Sequence, residues 1–120
     1  MAEEFMAALQ RSNQIDITVT GRNTGRQITI PVWFVTDRGK LYLVPVRGSD
    51  SDWYKNVVAT SRLQLTADGE SITATETPVT DPGRVQAIVG QFRERYGADQ
   101  VASYYPKTDV AVEVSLPQAG

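Results

Sequence analysis

Two residue pairs, Arg38-Gly39 and Asp68-Gly69, each join stretches in which apolar and polar side chains alternate. Alternation at a period of two puts one face of an extended segment in a core and the other in water. A two-residue link ending in Gly folds such segments back on each other. A chain punctuated in this way builds antiparallel sheet. Ile15, Ile17 and Val19 alternate with Asp16, Thr18 and Thr20 as a first strand, and Gly21–Arg26 follows as a Gly-bearing turn. Ile28 to Val35 reads as a second strand with Ile28, Ile30, Val32 and Phe34 on one face. Pro31 offers no ladder donor, so that strand belongs at an edge or carries a bulge. Leu41–Val46, Leu63–Ala67, the Thr-rich Glu70–Val79 and the Val110–Leu116 stretch complete about six strands.

Helical periodicity interrupts these strands. Residues 2–12 carry a narrow apolar stripe of Phe5, Met6 and Leu9 within an N-terminal helical segment, 1–12. Asp50 or Ser51 can cap a helix that runs to about Thr60. The clearest helix starts at Asp81-Pro82, an N-cap followed by proline in the first turn. Val85, Ile88, Val89, Phe92 and Tyr96 form its buried stripe, and Gly97 ends it. Another helical turn or two is expected before Pro106, and residues 117–120 are expected to fray. The reading is one domain over 1–120, mainly β with flanking helices (α+β), an antiparallel barrel with helices outside.

The 120 residues include no Cys and no His. Disulfides, Cys- or His-ligated metals and His-based triads are therefore excluded, and no metal site is expected. Any chemistry uses carboxylates, Lys, Tyr or a borrowed cofactor. The net charge of −2 and pI near 5.0 argue against nucleic acid, including an oligonucleotide-binding barrel. Locally, residues 20–47 hold Arg22, Arg26, Arg38, Lys40 and Arg47 against Asp37 alone. That suits a small anionic ligand, or else a solvated strand face. The first ten residues are acidic and mixed, unlike a signal peptide, and no apolar run is long enough to span a membrane. A soluble, cytoplasmic protein is expected.

Three places can carry a ligand. The Gly21–Arg26 turn offers backbone N–H groups with Arg22 and Arg26 beside them, although a plain hairpin turn uses the same residues. The Arg47–Asn56 stretch puts a Gly/Ser loop before a helix N-terminus, which favours anions, although Asp50 and Asp52 repel a phosphate unless they point out as caps, and an ordinary capped helix anchored by Trp53 uses the same residues. Trp33, Trp53, Tyr54, Tyr104 and Tyr105 offer faces for a flat heterocycle, or simply core packing. Trp33 is out of phase with the apolar face of its strand and so faces a groove or a partner chain. Tyr104 and Tyr105 are candidate substrate-side phenols. No Gly-x-Gly-x-x-Gly, P-loop or Gly-x-Ser-x-Gly pattern is present.

In order, "TGRNTGRQITIPVWFV", "KLYLVPVRGS", "DWYKNVVATSRLQLTADG" and "KTDVAVEVSL" resemble the deazaflavin-dependent nitroreductase family of flavin and deazaflavin oxidoreductases. The resemblance covers most of residues 16–116. It implies an FMN-binding-like split β-barrel that binds coenzyme F-420 and passes hydride to a small electron-poor acceptor such as an enone, quinone or nitroaromatic. It places Arg22, Thr24 and Gly25 in a phosphate-side turn and Arg47, Gly48 and Ser49 in a second phosphate-side loop. Trp53 and Trp33 then frame the ring, and Tyr104 or Tyr105 lies on the substrate side. Asn23, Ile28 and a shorter second loop depart from the family pattern and leave fewer cations for an acidic tail. FMN is the alternative cofactor, and a non-catalytic cofactor-binding module the alternative role. Pairing into a homodimer is the expected cover for an open barrel edge.

Overall fold

Both two-residue links adopt the geometry the sequence predicts. Arg38 and Gly39 have φ of 52° and 80°, and Asp68 and Gly69 have 48° and 82°. Two successive left-handed residues match a tight turn to the right-handed twist of its strands. The computed structural model describes residues 2–60 and 62–116. The chain runs α1 (Ala2–Arg11), β1 (Ile15–Thr20), β2 (Gln27–Val32), β3 (Val35–Asp37) and β4 (Lys40–Leu43), then a 3₁₀ turn (Gly48–Asp50) and α2 (Asp52–Thr60). It continues through β5 (Arg62–Ala67), β6 (Glu70–Val79), α3 (Pro82–Tyr96), α4 (Ala98–Tyr104) and β7 (Ala111–Ser115). The expected frayed tail, 117–120, lies outside the described residues.

The strands form one curled sheet in the order β2-β1-β5-β6-β7-β4-β3. Every pair is antiparallel. The long β6 joins the two halves, because residues 70–75 pair with β5 and residues 76–79 pair with β7. The strand count is seven, not six. Residues 28–35, expected as one strand, divide between β2 and β3, which sit at opposite ends of the strand order. The cause is local. The Phe34 N–H donates to the Tyr96 hydroxyl at 3.2 Å, and that hydroxyl lies 2.9 Å from the Phe34 carbonyl and 2.7 Å from the Asn13 carbonyl. A phenol from α3 takes the place of strand partners, so the ladder stops at Val32. β2 is an edge strand, which accommodates Pro31 as the sequence predicts. The third expected strand is also shorter, ending at Leu43.

Alternation then sorts the core. On β4, Leu41 and Leu43 face a cluster with Phe5, Leu9, Ile17, Val57, Leu65 and Val112, while Tyr42 belongs with a second cluster. That second cluster contains Val85, Ile88, Val89 and Phe92, the predicted stripe of α3, with Val101 and Tyr105. Each fully buried aliphatic side chain contributes about 1.5–3 kcal/mol relative to exposure. Asp81 caps α3 by accepting from the Arg84 N–H at 3.0 Å, and Gly97 ends it at φ 95°. Ile28 and Ile30 are less buried than the strand pattern predicts, because β2 is an edge whose end faces the groove described below. Among the described residues, three polar side chains are buried, Ser51, Asn56 and Glu76, and one of them carries an acid. Glu76 on β6 is 4% exposed, and neither carboxylate oxygen has a hydrogen-bond partner among the described residues. Burial pushes its carboxyl above the ordinary range. Among the described residues no helix is long and apolar enough to cross a membrane.

Candidate functional site

The break after Val32 releases Trp33 from the ladder. Its ring stacks on Tyr96 with centroids 4.3 Å apart and 10° between planes. Tyr104 tilts against it at 4.6 Å, and Tyr105 meets it edge-on at 6.0 Å. The end of α4 thus brings two tyrosines to one tryptophan, and the first turn of α2 adds Trp53. Together with Ile28, Ile30, Val32, Val44 and Val46 they line an open groove of about 410 Å³. Its polar lining is Arg47, Ser51, Asp52 and Asn56. An apolar, aromatic cleft of this size with a few convergent polar groups suits a small organic ligand.

Of the predicted site residues, Trp33, Arg47, Trp53, Tyr104 and Tyr105 line this groove. Arg22, Thr24, Gly25, Gly48 and Ser49 do not. Arg22 instead ties its turn to α2, with its backbone N–H and one guanidinium nitrogen 3.0 Å and 2.7 Å from Asn56 Oδ1. Thr24 Oγ1 accepts from the Arg26 N–H at 3.2 Å, and the Gly25 N–H donates to the Gly21 carbonyl at 2.8 Å. The turn satisfies itself. The second loop does the same. The N–H groups of Gly48, Asp50 and Ser51 donate to the carbonyls of Pro45, Arg47 and Gly48. The Arg47 N–H donates to Ser51 Oγ at 2.8 Å. Ser49 gives its N–H and its hydroxyl to the two carboxylate oxygens of Asp109, at 2.9 Å and 2.6 Å. The amides expected to face a phosphate are engaged within the chain.

The cationic run of the sequence likewise divides. Lys40 lies 3.5 Å from Glu113 and 2.9 Å from Ser115 Oγ, away from the groove. Arg38 lies in its hairpin near Asp37 at 3.9 Å. Near the groove, Lys107 pairs with Asp50 at 2.9 Å and with Asp109 at 3.8 Å. The Arg47 guanidinium has no ion pair or hydrogen bond among the described residues. Burial would raise the Asp109 carboxyl, but the two Ser49 bonds, its own backbone N–H and the nearby Lys107 together hold it below its ordinary value. Burial pushes the Tyr105 phenol far up, with Tyr104 and Tyr96 adding to the effect. Tyr105 therefore keeps its proton and can offer it only as a hydrogen bond. Among the described residues, no group of three His, Cys, Asp or Glu side chains is placed to hold a metal.

Sequence reasoning missed two groups at this end of the molecule and one contact. Tyr96 was legible only as one more apolar helix position, yet it sets the strand break and backs Trp33. Asn56 ends the Arg47–Asn56 candidate stretch, but its bond to Arg22 was not legible. Asp109 reaches Ser49 across sixty residues of sequence, and nothing local announces that contact.

The family described as "Uncharacterized protein conserved in bacteria" (DUF2255) matches residues 5–114. The chain belongs to this family. No curated protein matches this DUF2255 chain by sequence. Among solved structures it is similar to an F420-H2 dependent reductase (FDR-A), with 19% identity, TM-score 0.66, and 86% of this chain and 94% of that one covered. It is similar to a candidate pyridoxamine 5'-phosphate oxidase from Listeria innocua, with 13% identity, TM-score 0.69, and 98% and 94% covered. A structure described as a domain-swapped dimer has 18% identity, TM-score 0.67, and 94% and 95% covered. At such identities the likeness shows the fold alone, a split β-barrel.

Proposed function

We propose that this DUF2255 protein binds a flavin or deazaflavin in the Trp33–Trp53 groove and serves as a reductase of small electron-poor molecules. The observation that carries the reading is the groove itself, which two tryptophans, two tyrosines and one guanidinium without a partner among the described residues all line. Aromatic and aliphatic side chains suit the flat tricyclic ring. Arg47 suits a phosphate. The Ser49–Ser51 amides do not, because each already has a partner. The bound group supplies hydride to an acceptor such as an enone, quinone or nitroaromatic. The chain's own part is to hold the ring, exclude water with the Trp33–Tyr104–Tyr105 cluster, and present a phenol hydrogen bond from the α4 end. Coenzyme F-420 is the cofactor that the family resemblance implies. A single cation among the residues that line the groove favours FMN as a second reading.

A second copy of the chain is the proposed cover for the groove rim. Ile28 and Tyr104, two of the three exposed large hydrophobic side chains among the described residues, both line the groove. Edges left open at β2 and β3 also need cover. The test is a fluorescence titration of the protein with oxidised FMN and with coenzyme F-420, followed by turnover assays with the reduced cofactor. Quenching at low micromolar concentration with acceptor reduction is expected. Binding without turnover of any acceptor supports the non-catalytic module, and no binding at tens of micromolar ends the reading. Light scattering during elution checks the dimer.

A further inference from the structure

At the Arg47 end of the groove, the chain has put one of its own carboxylates where an anionic ligand group would compete. Asp109 lies just before β7 and takes both donors of Ser49. Gly48, at φ +56°, makes room for it, since a Cβ there would overlap the Asp109 carboxylate. Lys107 is shared between Asp50 and Asp109. Arg22 is held by Asn56 and lies 3.9 Å from Asp52. Among the described residues, the one cation that lines the groove is Arg47. It sits beside a turn whose donors are filled and whose charge is negative at Asp50 and Asp109.

We infer that Asp109 is a specificity-determining residue of the groove: it closes the Gly48–Ser49 turn to anions and restricts the ligand to one compact anionic group held by Arg47. The inference rests on the proposed ring-binding role of the groove and narrows it. A ligand with one phosphate meets Arg47 and stops there. A ligand with an extended acidic tail runs on past Arg47 toward Asp50 and Asp109 and is repelled. Asp109 acts at a distance, through its charge and through the turn it braces, so it is not a contact residue of the ring.

The test compares riboflavin, FMN and coenzyme F-420 on the wild-type protein and on Asp109→Asn. The substitution keeps an acceptor for the Ser49 N–H and removes the charge, and thermal melts establish that the variant is folded. Asp109→Asn is expected to tighten FMN about fivefold and F-420 at least as much, as expected for removing one charge at several ångströms. Riboflavin, which has no phosphate, stays within about twofold, and the FMN gain shrinks as salt rises. Equal gains for riboflavin and FMN, or no gain for either anion, overturn the inference. Binding of no flavin to either protein removes the ring reading, and the inference then stands or falls on inorganic phosphate. Its titration is followed at the Arg47 Nε–H signal by NMR. Tighter phosphate binding in Asp109→Asn upholds the assignment, and identical curves overturn it.

Discussion

The two ends of the groove were built by opposite means. At the aromatic end, Trp33, Tyr104 and Tyr105 come together because a strand stops, and they offer apolar surface that a flat ligand can use. At the loop end, Gly48–Ser51 resembles an anion cradle by composition, yet every one of its N–H groups has a partner in the chain. A Gly/Ser loop before a helix is therefore only the raw material for anion binding. What decides its use is whether the chain fills it first: here the turn's own carbonyls take the N–H groups of Gly48, Asp50 and Ser51, and Asp109 takes that of Ser49. The aromatic end is specified by shape and burial, and the loop end by charge.

Substitutions separate these two modes. Trp53→Ala should have the largest effect, because Trp53 is 8% exposed, packs in the barrel core and also lines the groove. A loss of about 3–5 kcal/mol is expected by chemical denaturation, together with loss of ring binding. Retained ligand affinity in a destabilised but folded variant would place the ring elsewhere. Gly48→Ala comes next. A side chain at φ +56° that also overlaps the Asp109 carboxylate should cost about 1–3 kcal/mol, measured the same way. A neutral result would show that the Ser49–Asp109 brace is not formed in solution.

Two carboxylates give a smaller and more diagnostic pair. Asp109 is held below its ordinary 3.8, so its contribution is present at neutral pH and is lost as pH falls through the folded value. Glu76 runs the other way. Its folded value lies above the ordinary 4.5, so the unfolded chain releases the proton first, and stability falls as pH rises from 4.5 to the folded value. Glu76→Gln should stabilise the protein at pH 8 and flatten that decline, while Asp109→Asn should flatten only the acid side. Stability curves from pH 3 to 9 for the three proteins check both signs. The smallest effect on the fold belongs to Arg47→Ala, whose exposed guanidinium has no partner among the described residues. Its melting temperature should stay within about 2 °C of wild type. Its FMN affinity should fall about tenfold or more, as expected for losing a charge-assisted bond.

Most of the fold was legible because its signals are local. Arg38-Gly39 and Asp68-Gly69 fix their own hairpins, and Asp81-Pro82 with Gly97 fixes both ends of α3. The strand break was not legible, because its cause is the Tyr96 hydroxyl, more than sixty residues from Phe34. Trp33, Trp53, Tyr104 and Tyr105 stand out by residue type alone, and all four line one groove. The placement of the polar candidates was not legible. Arg22, Thr24, Gly25, Gly48 and Ser49 have the right chemistry in sequence, but hydrogen bonds with Asn56, Arg26, Gly21, Pro45 and Asp109 draw their polar groups into the fold. Residue type indicates what a group can bind, and tertiary contacts decide whether it is still free to do so.

Ring binding at the aromatic end of the groove is reported directly by the tryptophan indole N–H signals. In a ¹H–¹⁵N spectrum the two tryptophans give two resolved indole signals. Saturation with FMN should move both, with smaller shifts at Arg47 and none at Arg38 or Lys40. Binding that leaves the Trp33 and Trp53 indole signals in place, or moves only residues of the Arg38 hairpin, would contradict ring binding there.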